Sequence, residues 1–352
     1  MSYTDGMAAL NLDAPPRIPR TEYSAERHWK LVEAVTGIAV DGQSSPEEQQ
    51  AASSAFMSAW NYDLVWNICV NNEIFGEKRS EMGHAEYEAG GVDKSDRTSA
   101  LFQDPEEALR IDFDALYGVP DTPGIVDRFQ RDYRTRISLC PDAVNMTGIY
   151  VSCMSGLIEI LGWDTLLCAA GLDPEGFGCL TERYGTWIVR YFEALAASDV
   201  PVVMVHDDIV WTSGAFIHPD WYRRFLFPTT RRLIRPLLDA GKKVLYTSDG
   251  TYTEFMDDIV QCGVHGLVME PTTDLSLAAE RYGKTHALIG NADTRVLLSG
   301  SRSEIEAEVR RCLDIGKNCP GYFMAVGNHI PANTPVQSAL WYEECYLKYS
   351  RR

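Results

Sequence analysis

Neither of the glycine-rich phosphate loops occurs: there is no GxGxxG after a first strand and no GxxxxGK[ST], which speaks against an open doubly wound sheet built to bind a nucleotide. Cysteine pairs at metal-knuckle spacing are also missing. The nine cysteines are scattered singly at 69, 140, 153, 168, 179, 262, 312, 319 and 345, an odd number that fits no secreted disulfide framework and points to a reducing cytoplasm. Basic charge is scarce. Fifty acidic residues against 32 basic give a formal net charge of −18, a balance that disfavours nucleic acid and anionic membrane surfaces as partners. The densest basic cluster, Arg223, Arg224, Arg231, Arg232 and Arg235, has the spacing of the solvated side of an amphipathic helix. No run approaches 18 uninterrupted apolar residues, and the N-terminus lacks the basic start and apolar centre of a signal peptide. A cytoplasmic protein with no membrane partner is the expectation.

What is present is a long alternation. Residues 1–24, with Pro15, Pro16 and Pro19, read as an arm that is irregular or lies across another surface, and residues 25–352 as one domain. Helical spacing begins near Ser24, a candidate N-cap, carries Trp29, Leu31, Val32 and Val35, and stops at Gly37. A second helix starts with Ser45 as cap and Pro46 at its first position. From residue 144 onward, short apolar runs alternate with amphipathic stretches: VNMTGIYV, PVVMVHDD, KKVLYTSDG, HGLVMEP, HALIGNAD and GYFMAVGNH each precede a helix. Five of these six are apolar on consecutive residues, as parallel strands covered on both faces are. Repeated strand and helix means α/β. With no nucleotide loop, the (β/α)8 TIM barrel with an N-terminal helical extension is favoured over an open sheet. Its remaining strands are expected around YDLVWNICV and MGHAEYEAGG.

In such a barrel the site lies where the strands end, because only there do the loops converge. Polar groups stand at those ends: His206, Asp207 and Asp208; Thr247, Ser248 and Asp249; Glu270; Asn291 and Asp293; Asn328 and His329. Each has a plainer reading. Asp208 or Asp249 would serve as a helix cap, and His206 as a core histidine with a satisfied ring. Glu270 is harder to dismiss, since a carboxylate ending a buried strand needs a cation, a hydrogen-bond donor or a proton. His84 and Arg79 read as lid or solvated loop, His218 and Asp104 as helix starts, and the aromatics from Trp60 to Trp66 as core.

In VVMVHDDIVWTSGAFIHPDWYRRFLFP, KKVLYTSDGTYTEF, VMEPTTDLSLAAERYG, HALIGNADTRVLLSGSRSEIEAEV and GYFMAVGNHIPANTPVQSALWYEE, the chain resembles the uroporphyrinogen decarboxylase superfamily, which includes corrinoid-dependent methyltransferases. The resemblance runs from about residue 60 to the end and implies a barrel with its site at the C-terminal mouth. The arginine-rich N-terminal signature with which the decarboxylase holds carboxylate arms has no counterpart, and Asn328 stands at the histidine of its late GHG motif. The superfamily's zinc-dependent thiol methyltransferases place His-x-Cys and a further Cys where this chain has Thr247, Asp249 and Asn328, so a soft thiolate site is not implied. What the resemblance leaves is a demethylase component moving methyl from a small O- or N-methylated compound to the cobalt of a corrinoid carried on a partner protein. Asp249, Asp208 and Glu270 are then the expected catalytic residues. His206, Asp207, Thr247, Ser248, Asn291, Asn328 and His84 are expected to bind substrate. Asp249, Glu270 and His329 would hold a metal, Zn²⁺ by type, with Asp208 as an alternative ligand, or would act without metal as an acid relay. A decarboxylase-like lyase acting on a cyclic carboxylate and a non-catalytic ligand-binding barrel remain the alternatives, and a homodimer is the default assembly.

Overall fold

A computed structural model describes residues 1–81 and 100–352. The runs read as strands do pair in parallel. In the order of their neighbours they are β10 (Tyr322–Phe323), β9 (Ala287–Ile289), β8 (Gly266–Val268), β7 (Lys243–Thr247), β4 (Val202–His206) and β3 (Thr147–Ile149). Beside β3, across Met146, β2 (Val144–Asn145) continues the same run and pairs with β1 (Leu64–Val65). A short antiparallel hairpin, β5 (Val210–Trp211) with β6 (Gly214–Ala215), rises from the end of β4. Between strands lie long helices such as Pro174–Ala197 and Arg302–Gly316.

The ring is completed from an unexpected place. Arg20 bridges Tyr62 on one side and Met324 on the other, with Thr21 N–H donating to the Met324 carbonyl at 3.1 Å, Met324 N–H to Pro19 at 2.8 Å, and Asp63 N–H to Arg20 at 2.8 Å. The first 24 residues thus supply the closing segment, and MGHAEYEAGG, offered as a strand, lies outside the described residues. The guanidinium of Arg20 is fully buried, pairs with Glu22 and Glu343, and lies 4.2 Å from the Trp60 ring and 4.9 Å from that of Tyr342. A buried cation is tolerable only with such pairing, so this contact fastens the closing segment to the helix Val336–Tyr349.

Inside and outside follow strand alternation. Val202, Met204, Leu245, Val268, Ala287, Ile289 and Phe323 fill the barrel, while Val203, Val205, Val244, Tyr246, Leu267 and Leu288 join the shell under the helices. Both faces are covered, which is why the strands read as unbroken apolar runs. The helix Tyr3–Leu10 closes the lower end: Ala9 and Leu10 belong to the interior cluster, and a Cβ on Gly6 would lie 2.4 Å from the Asp63 carbonyl oxygen. Only glycine permits that approach.

One local expectation needs correction. Ser24 makes no side-chain cap; the chain first forms a 3-10 turn, Ala25–Arg27, and His28 caps Trp29–Thr36 by accepting from Leu31 N–H at 3.2 Å. The imidazole prevails because its other nitrogen bonds the Thr334 carbonyl at 2.8 Å, fixing the ring across 306 residues of sequence. Ser45, by contrast, forms the full reciprocal box with Glu48. Among the described residues one helix, Met154–Leu172, is long and apolar enough to cross a membrane; Leu157, Ile158, Ile160 and Leu161 along it are fully buried in the core.

Candidate functional site

The alternation that separates barrel interior from shell also aims the strand ends. With Val202 and Met204 facing in, His206 faces in and Asp207 faces out. His206 is 2 % exposed and stacks on Tyr150, ring centroids 3.8 Å apart at 9°. Its Nδ1 lies 3.1 Å from the Tyr150 carbonyl, and its Nε2 lies 3.3 Å from Asp208 Oδ1. Asp207 does something else. Its Oδ1 accepts from the backbone N–H groups of Cys153 and Ser155, at the start of the helix Met154–Leu172, and burial pushes its pKa up to about 7. The expected substrate-binding role is therefore corrected: Asp207 anchors a helix N-terminus behind the sheet. Asp208 returns to the mouth, where its Oδ1 accepts from Asp249 N–H at 2.9 Å.

On β7 the parity places Thr247 inward, Ser248 outward and Asp249 inward again, beyond the last paired residue. Thr247 lines the central cavity, and its hydroxyl is buried with no hydrogen-bond partner. Ser248 accepts from Ile209 N–H at 3.3 Å and donates to the Asp249 carbonyl at 3.0 Å, so its hydroxyl is used in joining two strand ends. Gly250 then turns the chain at φ 81°, where a Cβ would meet the Trp211 carbonyl at 2.7 Å. One ligand atom each from His206, Asp208 and Asp249 lies within 4.8 Å of the other two.

The far side is differently used. Glu270 accepts from Asn328 Nδ2 and from Gly250 N–H, both at 2.6 Å. Asn291, 1 % exposed, donates to the carbonyls of Glu270 and Thr273 at 3.1 and 2.9 Å and accepts from Arg311 at 3.1 Å; its amide holds the loop instead of facing the cavity. Asp293 caps the helix Thr294–Ser299 and pairs with Arg295 at 2.7 Å. His329 stands exposed at the rim with Nδ1 3.0 Å from Ser24 Oγ, and its pKa is lowered by the surrounding protein and then by His206. Of the three residues expected to hold a metal, only Asp249 belongs to the converging group. His84 lies outside the described residues, whereas His218 and Asp104 start helices as expected.

A cavity of about 120 Å³ occupies the mouth. Besides the polar residues above, its walls are Tyr23, Trp66, Ile68, Tyr150, Met204, Val268 and Met269. Tyr23 and Trp66 were missed as site residues, the first because it sits in the arm and the second because its neighbour Trp60 is core. Their rings are 4.8 Å apart, and Tyr23 Oη and Trp66 Nε1 are buried without hydrogen-bond partners. Burial, then the nearby acids, holds the Tyr23 phenol well above its ordinary pKa, so it is a donor. No cysteine, lysine or arginine is among the described lining residues.

The uroporphyrinogen decarboxylase (URO-D) family pattern matches residues 134–345, more than half of the chain. The chain belongs to this family. Uroporphyrinogen decarboxylases of Pelobacter propionicus and Syntrophotalea carbinolica are 27% identical over 178 residues and 29% identical over 172 residues, about half of each protein in either direction. The chain spans about half the length of the curated relatives it matches. A methyltransferase from Methanosarcina mazei superposes with a TM-score of 0.67 over 99% of this chain and 98% of that one, at 16% identity, a likeness of fold. The family match takes in β2, β3, β4 and β7 to β10 with their strand ends; Tyr23 and Trp66 precede it.

Proposed function

We propose that the barrel is a methyltransferase moving a methyl group from a small, uncharged O- or N-methylated compound to the cobalt of a corrinoid held by a partner protein. The supporting observation is the composition of the mouth. Aromatic and thioether walls surround unpartnered donors on Tyr23, Trp66 and Thr247, acids and an imidazole stand at the rim, and no cationic side chain is among the described lining residues. A polycarboxylate would meet Asp249 and Glu270 in a cavity with no arginine or lysine among its described lining residues, whereas arginine is the usual partner of such groups. A neutral ether or amine is compatible with that potential.

A corrinoid in its reduced form supplies the nucleophile that accepts the methyl group. Everything else falls to this chain. Met204, Val268 and the Tyr150 ring exclude water from the methyl carbon, and the hydroxyl and indole donors orient the substrate heteroatom. As the carbon–heteroatom bond breaks, negative charge grows on the departing oxygen or nitrogen. His206, Asp208 and Asp249, gathered on one side of the mouth, are the groups that would hand a proton to that atom.

The test is to mix the full chain with cob(I)alamin and a panel of methoxylated aromatics and methylated amines, following methylcobalamin by its absorbance. Asp249→Ala should abolish turnover with the circular dichroism spectrum unchanged; activity retained within a few-fold would remove Asp249 from the mechanism. No methyl transfer with any donor, together with decarboxylation of a cyclic carboxylate, would replace this reading by the activity that names the curated relatives.

A further inference from the structure

We infer that Tyr23 and Trp66 form a binding subsite for a neutral oxygen of the substrate, and that the substrate is a single-ring methyl ether carrying that oxygen in addition to its methoxy group. The inference rests on the methyl-transfer reading above, whose substrate it narrows from O- or N-methylated compounds to one class.

Both residues come from parts of the chain that the family pattern does not reach. Tyr23 follows the closing segment and Trp66 follows β1, its neighbour in the ring, and the two side chains pack on the barrel interior with ring centroids 4.8 Å apart at 44°. Tyr23 Oη and Trp66 Nε1 are buried at the cavity with no hydrogen-bond partner. Buried polar groups in folded proteins are almost always paired. An indole N–H can only donate, and the phenol keeps its proton because burial, and then the nearby acids, hold its pKa well above the ordinary value. Glu270, one of those acids, already spends one oxygen on Asn328 and the other on Gly250 N–H. Two donors therefore await an acceptor that enters the cavity.

Their chemistry sets the kind of acceptor. A protonated or quaternary amine has no lone pair to offer, and a carboxylate would add negative charge beside Asp249 and Glu270. A neutral hydroxyl, ether or carbonyl oxygen has lone pairs and no charge. Size sets the rest. The cavity of about 120 Å³, walled by Met204, Val268 and Met269, is close to the roughly 150 Å³ of an apolar protein cavity that holds benzene. One ring with small substituents fills it. Around the barrel, β7 stands opposite the closing segment, with β1, β2–β3 and β4 between them one way and β8, β9 and β10 the other. At the end of β7, Thr247 carries another buried, unpartnered hydroxyl on the same cavity. A ring held by one oxygen at Tyr23 and Trp66 thus directs its far side to Thr247 and to the strand ends that bear His206 and Asp249, where the methyl group leaves.

The experiment uses the full chain with no corrinoid present. Isothermal titration compares 2-, 3- and 4-methoxyphenol with the methoxytoluene of the same pattern, in which a methyl group replaces the hydroxyl. The best methoxyphenol should bind about tenfold or more tightly than its methoxytoluene, and tetramethylammonium more weakly than either. Tyr23→Phe and Trp66→Phe should each weaken the methoxyphenol by about tenfold, the worth of one hydrogen bond in a dry site, and leave the methoxytoluene within about twofold, with circular dichroism unchanged. Equal affinity for the two ligands, as an ordered water on the donors would give, would overturn the subsite. So would tighter binding of tetramethylammonium, a preference for the hydroxyl that survives both substitutions, or a loss of affinity shared by both ligands, which is the mark of a structural role. Discrimination as described, with no methyl from these ethers reaching cob(I)alamin, would leave the subsite standing and sink the functional reading; methyl transfer at the parent rate by both variants would do the reverse.

Discussion

The two sides of the barrel mouth are built from the same kinds of residue and are used differently. Where β4 and β7 end, His206, Asp208 and Asp249 turn their ligand atoms toward one another. Where β8, β9 and β10 end, Glu270, Asn291 and Asn328 turn theirs toward backbone and one another, and Glu270 reaches across to the turn at Gly250. A polar residue at a strand end is therefore not a site residue by position alone; what decides is whether its hydrogen-bonding capacity is used within the fold or directed at the cavity. In the proposed reading, one side performs the chemistry and the other keeps the first side in place.

The largest effect that would break this division is on the first side. His206→Ala should lower turnover by roughly 10³-fold, the range for losing a group that handles charge at the leaving atom, while leaving thermal unfolding within a few degrees of the parent. A loss of stability comparable to that of a core cavity, with turnover of the folded fraction intact, would make His206 the satisfied core histidine of the plainer reading.

Next comes the second side. Asn291→Ala should destabilise by about 2–4 kcal/mol in urea unfolding, because two carbonyls lose their side-chain donor and the Arg311 guanidinium one of its acceptors in a site 1 % exposed. Substrate KM should change little in the folded enzyme. If instead stability held and KM rose tenfold, Asn291 would be the substrate ligand that its strand-end position suggested. Glu270→Gln falls between the two. The amide keeps one acceptor toward Gly250 but presents an N–H₂ elsewhere, so a loss of kcat of about tenfold is expected, with KM unmoved, through displacement of the Asp249 turn.

The barrel was legible because strands covered on both faces cannot hide: VVMVH and KVLYT are apolar run-ons that only a sheet under helices accommodates. The closing segment was not. Residues 18–21 carry Arg20 instead of an apolar residue and make single bridges on each side, so neither periodicity nor composition marks them, and prolines beside them suggest an irregular arm. Within the site, Asp208 and Asp249 could be read from position. The exclusion of Asp207 could also have been read, since counting by two from Val202 and Met204 puts His206 inside and Asp207 outside. Tyr23 carries no local signal and reaches the cavity only because the arm closes the ring, whereas Trp66, two residues after the inward-facing Leu64 in the run YDLVW, could have been counted inside. Which acids converge depends on loop geometry over 41 residues between Asp208 and Asp249, beyond what spacing encodes.

A third kind of acid sharpens the contrast between the two sides, because it sits near neither. Glu26, in the turn before Trp29–Thr36, has an oxygen buried without a partner, and burial raises its pKa to about 7. Its folded pKa lies above that of the unfolded chain, so its contribution to stability is full at low pH. That contribution declines as pH rises from about 4.5, where the unfolded carboxyl ionises, through about 7, where the folded one must. Glu26→Gln should remove this component, stabilising the protein at pH 8 by on the order of 1–3 kcal/mol relative to the parent and by little at pH 4.5. Turnover at saturating substrate should be unchanged, as the residue lines no part of the cavity. Equal urea midpoints for parent and Glu26→Gln at pH 8 would mean that the carboxyl is already satisfied there, and a parallel fall in activity would mean that the arm's packing reaches the mouth through Tyr23.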